Sequence, residues 1–123
     1  MSKVNRKKTL NVEYEKRAVR IGLIDTETAV EDWDKKEIRT RAAYFLLNGV
    51  PEFSVNRKDG GRFTLLAAER DFHAVKSMGV TDVEVRVYEF TEKNAETFSI
   101  IEKLKADNLG AMEEAYLMKQ LVK

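Results

Sequence analysis

Residues 48–92 read "NGVPEFSVNRKDGGRFTLLAAERDFHAVKSMGVTDVEVRVYEFTE", and the apolar period changes twice along them. Phe53 and Val55 alternate before Asp59-Gly60-Gly61, and Phe63 and Leu65 alternate after it, which predicts a β-hairpin turned at the Asp-Gly step. The spacing then lengthens, so a helix is expected from about Ala68 to Met78, with Gly79 as its C-terminal stop. Beyond it the period returns to two. Val83, Val85 and Val87 face one side, Glu84 and Arg86 the other, as in a half-exposed strand.

Upstream lies the clearest helix. Asp34 with Glu37 three residues later forms a capping-box pattern. Ile38, Ala42, Phe45 and Leu46 then make one apolar stripe, and Asn48-Gly49 followed by Pro51 ends it. Trp33 and this stripe read as core. Residues 10–24 carry β-branched and aromatic residues in partial alternation and predict one or two strands. Residues 1–9 are polar and basic and read as a flexible arm. Downstream, Thr91 caps a segment bearing Ala95, Phe98, Ile101 and Leu104. A break at 107–110 follows, then a second helical run with Met112, Met118, Leu121 and Val122 along one stripe. Strands, helix, hairpin, helix, strand and helices make a single α+β domain.

With 123 residues, one core suffices. No apolar run approaches the ~20 residues of a membrane span, and no apolar segment follows the basic N-terminus as a secretion signal would require. A cytoplasmic protein is expected. The absence of cysteine removes disulfides, thiol nucleophiles and zinc–thiolate sites, and the single histidine, His73, removes histidine-cluster metal sites. Lysine and arginine number 22 against 21 acids, so the chain has no global field for nucleic acid, and any DNA contact is local.

Two blocks, residues 48–92 as quoted and "IIEKLKADNLGAMEEAYLMKQLV" at 100–122, resemble the N-terminal domain of the ParB chromosome- and plasmid-partition proteins, within the ParB/sulfiredoxin superfamily. The first is similar to the family's stretch from "G-[IV]-x-Q-P" through its "GERRxRA" box. The second is similar to "xxENxQRxDLxxxEEAxxxxxL". The resemblance implies a ParB/sulfiredoxin-like mixed sheet with flanking helices and a helical C-terminal end. On this reading residues 10–123 are the domain, and 91–123 lead toward a DNA-binding domain absent from this chain. In the family these boxes surround CTP with Mg2+. A strand-to-helix turn offers backbone N–H groups at a helix N-terminus, arginines neutralise phosphates, and carboxylate and amide oxygens of the second box hold the metal.

Carried over residue by residue, Gly49 of the first segment remains, but the family's glutamine and proline are Glu52 and Phe53. The box glycine is Ala68, its glutamate Glu69 and its first arginine Arg70. Its later arginines have become Asp71 and His73. In the second box Glu102 is retained as the metal-ligand candidate, while Lys103 and Ala106 replace asparagine and arginine. One misplaced unit charge at 4 Å is worth about 4 kcal/mol even at an effective dielectric of 20. The resemblance therefore predicts the fold with CTP binding weak or lost. Lys103 offers one compensation, an ammonium where the metal would sit.

Simpler readings compete. A first-turn glutamate is favoured by the helix dipole alone, arginine is a good surface helix former, and Glu102 among Lys103 and Lys105 suits a solvated face. The resemblance favours a partition or DNA-maintenance module, from a chromosome, plasmid or mobile element, that regulates or binds other proteins. The alternative is a nucleotide-dependent enzyme of the superfamily, a triphosphatase, nuclease or kinase. It would use Glu69 as general base, Glu102 as second carboxylate and Arg70 as phosphate clamp. Sulfiredoxin chemistry is excluded because it needs a cysteine. Arg6, Lys7 and Lys8 are the expected contacts to DNA phosphates or to a ParA-type ATPase. The final apolar stripe suggests a homodimer seam or packing on the preceding helix.

Overall fold

The computed structural model describes residues 6–9 and 12–106. Strand β1 (Arg6–Thr9) pairs antiparallel with β2 (Val12–Arg20). A short 3-10 turn leads to β3 (Ile24–Asp25), and a second one precedes helix α1 (Lys35–Asn48). The hairpin β4 (Phe53–Arg57) and β5 (Phe63–Leu65), helix α2 (Glu69–Ser77), strand β6 (Asp82–Tyr88) and helix α3 (Glu92–Ala106) follow. The six strands form one mixed sheet in the order β1-β2-β6-β4-β5-β3. The β6–β4 and β5–β3 pairs are parallel and the rest antiparallel.

Alternation decides which side chains go inside. Val83, Val85 and Val87 of β6, Phe53 and Val55 of β4, and Phe63 and Leu65 of β5 are buried on one face. There they meet Ile38 and Phe45 of α1 and Phe72, Ala74 and Val75 of α2. Phe53 and Phe72 touch edge to face, with centroids 5.4 Å apart. Tyr88, one position out of phase with the valines, faces the other side. With Leu66, Phe98 and Ile101 it forms a smaller second core under α3.

The sheet's β3 edge is pinned by charge. Arg62 donates to both oxygens of Asp25, at 2.6 and 3.1 Å, and Lys58 donates to one at 2.9 Å. These hydrogen bonds hold the Asp25 carboxyl well below the usual carboxylate range.

Most elements lie where the periodicity places them. Three details differ. Residues 6–9, expected within a flexible arm, form an edge strand, so Arg6, Lys7 and Lys8 sit in the sheet. Asp34 caps α1 by accepting from the Lys36 N–H at 2.9 Å, while Glu37 points to Arg70 rather than back to the cap. Leu46, placed on the buried stripe, is 77% exposed: it lies about 80° round the helix from Ile38, too far to face the sheet. The second helical run and its stripe lie outside the described residues.

Candidate functional site

The turn from β5 into α2 is built on Ala68, whose φ of 64° and ψ of 45° place it in the left-handed region. Such a residue reverses the chain sharply before the helix begins. Glycine does so freely; an alanine methyl costs about 1–2 kcal/mol there. Glu69 and Asp71 occupy the first turn of α2, where the dipole favours acids.

Both acids are committed to other elements. Glu69 accepts from the backbone N–H groups of Glu27 and Thr28, each at 3.0 Å, and from the Thr28 hydroxyl. That hydroxyl also accepts from the Trp33 indole N–H at 3.0 Å. His73 is buried, and its Nε2 lies 3.2 Å from the Thr28 carbonyl and 3.3 Å from the hydroxyl. Glu69, Thr28, Trp33 and His73 thus form one polar latch fastening the loop before α1 to α2. Asp71 receives a two-pronged contact from Arg41 of α1, at 2.8 and 3.3 Å, and the pairing raises the arginine's pKa.

Arg70 is the cation left at this helix start. It lies 3.8 Å from Glu37 and 3.7 Å from Asp71, partly exposed and surrounded by acid. Gly49, with φ 94°, closes α1 through its N–H to the Phe45 carbonyl at 2.8 Å. Glu52 is neutralised by Lys16 at 3.1 Å and Arg86 at 3.4 Å.

The second box reaches the same region through packing. Leu66, two residues before Ala68, is buried against Phe98 and Ile101, so α3 is held at the strand end that leads into the turn. Thr91 caps this helix, its hydroxyl accepting from the Asn94 N–H at 3.2 Å. Glu102 lies 3.7 Å from Lys105, and Lys103 is exposed. Below, the Tyr88 hydroxyl is fully buried near Ser54, and burial pushes its pKa well above the usual tyrosine range. Among the described residues no group of three or more histidine, aspartate or glutamate side chains converges as a metal site. Glu102 would supply one carboxylate to Mg2+, which takes its other oxygens from phosphates and water.

No protein-family model matches the chain. It is 30% identical over 89 residues to a probable chromosome-partitioning protein ParB of Coxiella burnetii, covering 72% of this chain and 31% of that one. It is 28% identical over 90 residues to a nucleoid occlusion protein of Halalkalibacterium halodurans, covering 73% and 32%. The fold matches C-terminally truncated ParB from Caulobacter crescentus complexed with CTP-γ-S, with a TM-score of 0.63 at 18% identity, over 73% of this chain and 53% of that one. The described residues form a ParB-N-like domain. The chain spans roughly a third of the curated relatives' length. Among the described residues of this ParB-N-like domain, no helix is long and apolar enough to cross a membrane.

Sequence reasoning brings Glu69, Arg70 and His73 to one helix start, but misses Thr28, Trp33 and Arg41. Thr28 and Arg41 lie 41 and 30 residues from the acids they hold, and no local pattern marks contacts at that range. The one available signal is a polar run, "DTETAVEDWD" at 25–34, whose single aromatic carries an indole N–H that needs a partner when buried.

Proposed function

We propose that this ParB-N-like domain is a regulatory or protein-interaction module of a partition or nucleoid-occlusion protein, with CTP binding weakened or lost. The observation that supports this is the state of the two acids at the start of α2. Asp71 stands where the family's box supplies an arginine, and its charge is fixed by Arg41 of the neighbouring helix. Glu69 spends both carboxylate oxygens on the 27–28 loop. Arg70 is then the sole box cation, and it is shared with Glu37. A triphosphate entering here meets one partly neutralised arginine and a fixed aspartate, with Ala68 adding a methyl group on the approach. His73, expected among the nucleotide-binding residues, is buried on Thr28.

Calorimetric titration with CTP, with and without Mg2+, tests the reading. The expected result is no saturable heat at submillimolar nucleotide. Magnesium-dependent saturation in the micromolar range would overturn it. Metal-independent binding abolished by Lys103→Ala would instead show that the ammonium replaces the ion.

The enzymatic alternative has no structural observation in its favour. A general base needs a free lone pair aimed at a substrate proton, and three donors of the 27–28 loop already orient the Glu69 carboxylate toward that loop. For partners, a second copy of the chain belongs to the proposal through the stripe of Met112, Met118, Leu121 and Val122, and a ParA-type ATPase and DNA through Arg6, Lys7 and Lys8 on edge strand β1. Phosphate contacts through these three residues predict retention on duplex DNA that falls steeply with salt and weakens when all three are replaced by alanine.

A further inference from the structure

Three apolar side chains stand uncovered at the C-terminal end of α1, where a surface helix ordinarily carries charge. Leu46 is 77% exposed, Leu47 85% and Val50, just past the helix end, 41%. Ala43, also exposed, lies one turn before Leu47. At 100° per residue, Ala43, Leu46 and Leu47 fall between about 80° and 180° round the helix from Ile38, which faces the core. Lys36 and Arg39 continue the same stripe toward the N-terminus, both exposed. Among the described residues neither of these two cations meets an acid, whereas Arg41, Arg57, Lys58 and Arg62 each do. The stripe is therefore apolar at one end and carries uncompensated positive charge at the other, with Arg39 and Leu47 about 12 Å apart along the axis.

We propose that this stripe docks an amphipathic helix of another protein, one whose acidic side chains lie about two turns along from its apolar ones. The inference rests on reading the domain as a protein-interaction module. It does not depend on the state of the nucleotide site, since none of these residues belongs to the α2 turn. Charge complementarity selects the partner. Leu46, Leu47 and Val50 present on the order of 400 Å², the size of patch that marks an interaction site on a monomer. Ala43, with its short side chain, leaves a notch between Arg39 and Leu47 where a partner leucine seats as a ridge enters a groove. Partner carboxylates then meet Lys36 and Arg39 and fix the register, because a shifted helix would set leucine against unpaired cations. Nucleic acid gains nothing from the leucines. A bilayer surface calls for cations on the polar face opposite the apolar one, whereas these lie in line with it, at one end. One docked helix covers an area below that of a standard interface, so the contact is a transient one.

The test is selection by the 123-residue chain from a displayed library of helical peptides, with leucine fixed along one face and alanine, glutamate or lysine varied elsewhere. Enriched peptides should carry glutamate about two turns from the leucines. They should bind Leu47→Glu at least tenfold more weakly, with an unchanged circular dichroism spectrum, because Leu47 touches little of its own fold. Lys36→Glu combined with Arg39→Glu should turn the enrichment from glutamate to lysine. Peptides enriched without a charge preference would overturn the proposal, as would enrichment no greater than on the Leu47→Glu chain. So would a monomer–dimer equilibrium in sedimentation, or retention on phosphatidylserine vesicles, that Leu47→Glu abolishes, since the face would then belong to a second copy or to a membrane. The CTP titration reads the nucleotide site separately, so either result can fail alone.

Discussion

Ala68 adopts a backbone conformation that, elsewhere among the described residues, is confined to glycines. The turn demands the left-handed region, and the methyl group is a standing cost. Ala68→Gly should raise stability by about 0.5–1 kcal/mol, read as a higher urea midpoint, because relief of strain exceeds the entropy glycine adds to the unfolded chain. A lower midpoint would mean that the methyl contributes packing that outweighs the strain. Tyr88 is a second residue whose setting matters, its hydroxyl fully buried near Ser54. Tyr88→Phe should shift stability by no more than about 1 kcal/mol, since the loss of one hydrogen-bonding group is offset by the loss of its burial cost. The pH dependence has a definite sign. With the folded pKa raised, the neutral phenol's contribution is complete below the unfolded value of about 10 and is lost as pH rises from there through the folded value. Urea midpoints of the parent should therefore decline in alkaline buffer, and those of Tyr88→Phe should decline less. Neither feature is visible in the sequence: it shows an alanine before a helix and a tyrosine ending a strand, and gives neither φ nor the burial of a hydroxyl.

Elements, by contrast, were largely legible. The hairpin, β6 and all three described helices announce themselves by period, because a half-buried face writes its repeat into the sequence. Strand β1 does not, since "RKKT" has no apolar face to alternate, and its place in the sheet rests on pairing with β2. The link between elements was also hidden. Asp71 reads as a first-turn acid, yet its partner is Arg41 on another helix, and this contact joins α1 to α2 outside their shared core. The side chains are 30% and 22% exposed, so solvent screening keeps the coupling near 1 kcal/mol rather than the several expected of a buried pair. A double-mutant cycle of Arg41→Gln and Asp71→Asn should return roughly that coupling. Additive losses would show that the pair merely coexists. The same contact bears on the proposed loss of CTP binding. Restoring an arginine at 71 would set it against Arg41, so the family's charge pattern cannot return by one substitution without loosening the helix pair.

At the scale of the molecule, two cores of unequal size share one sheet. The larger lies between the sheet and α1 with α2, and the smaller joins α3 through Leu66, Tyr88, Phe98 and Ile101. An element held by few apolar contacts opens at lower free energy than one at the centre of the main core. Strand β6 has neighbours on both sides, β2 and β4, and buries Val83, Val85 and Val87 completely or nearly so. Helix α3 has one apolar stripe and, beneath it, the buried Tyr88 ring with its polar hydroxyl. Native-state hydrogen exchange should therefore show amides 95–104 exchanging through an opening distinct from, and easier than, the one that exposes β6. Phe98→Ala should widen the gap. Removing a buried phenylalanine costs about 3–5 kcal/mol, enough to detach a helix anchored by four core residues while leaving the larger core closed. Identical protection in α3 and β6 would mean that the two cores open as one. A separable α3 would have a functional consequence, because this helix carries Glu102 and Lys103. Its detachment would displace both residues without unfolding the sheet, so any nucleotide contact they make would be lost while the larger core stays closed.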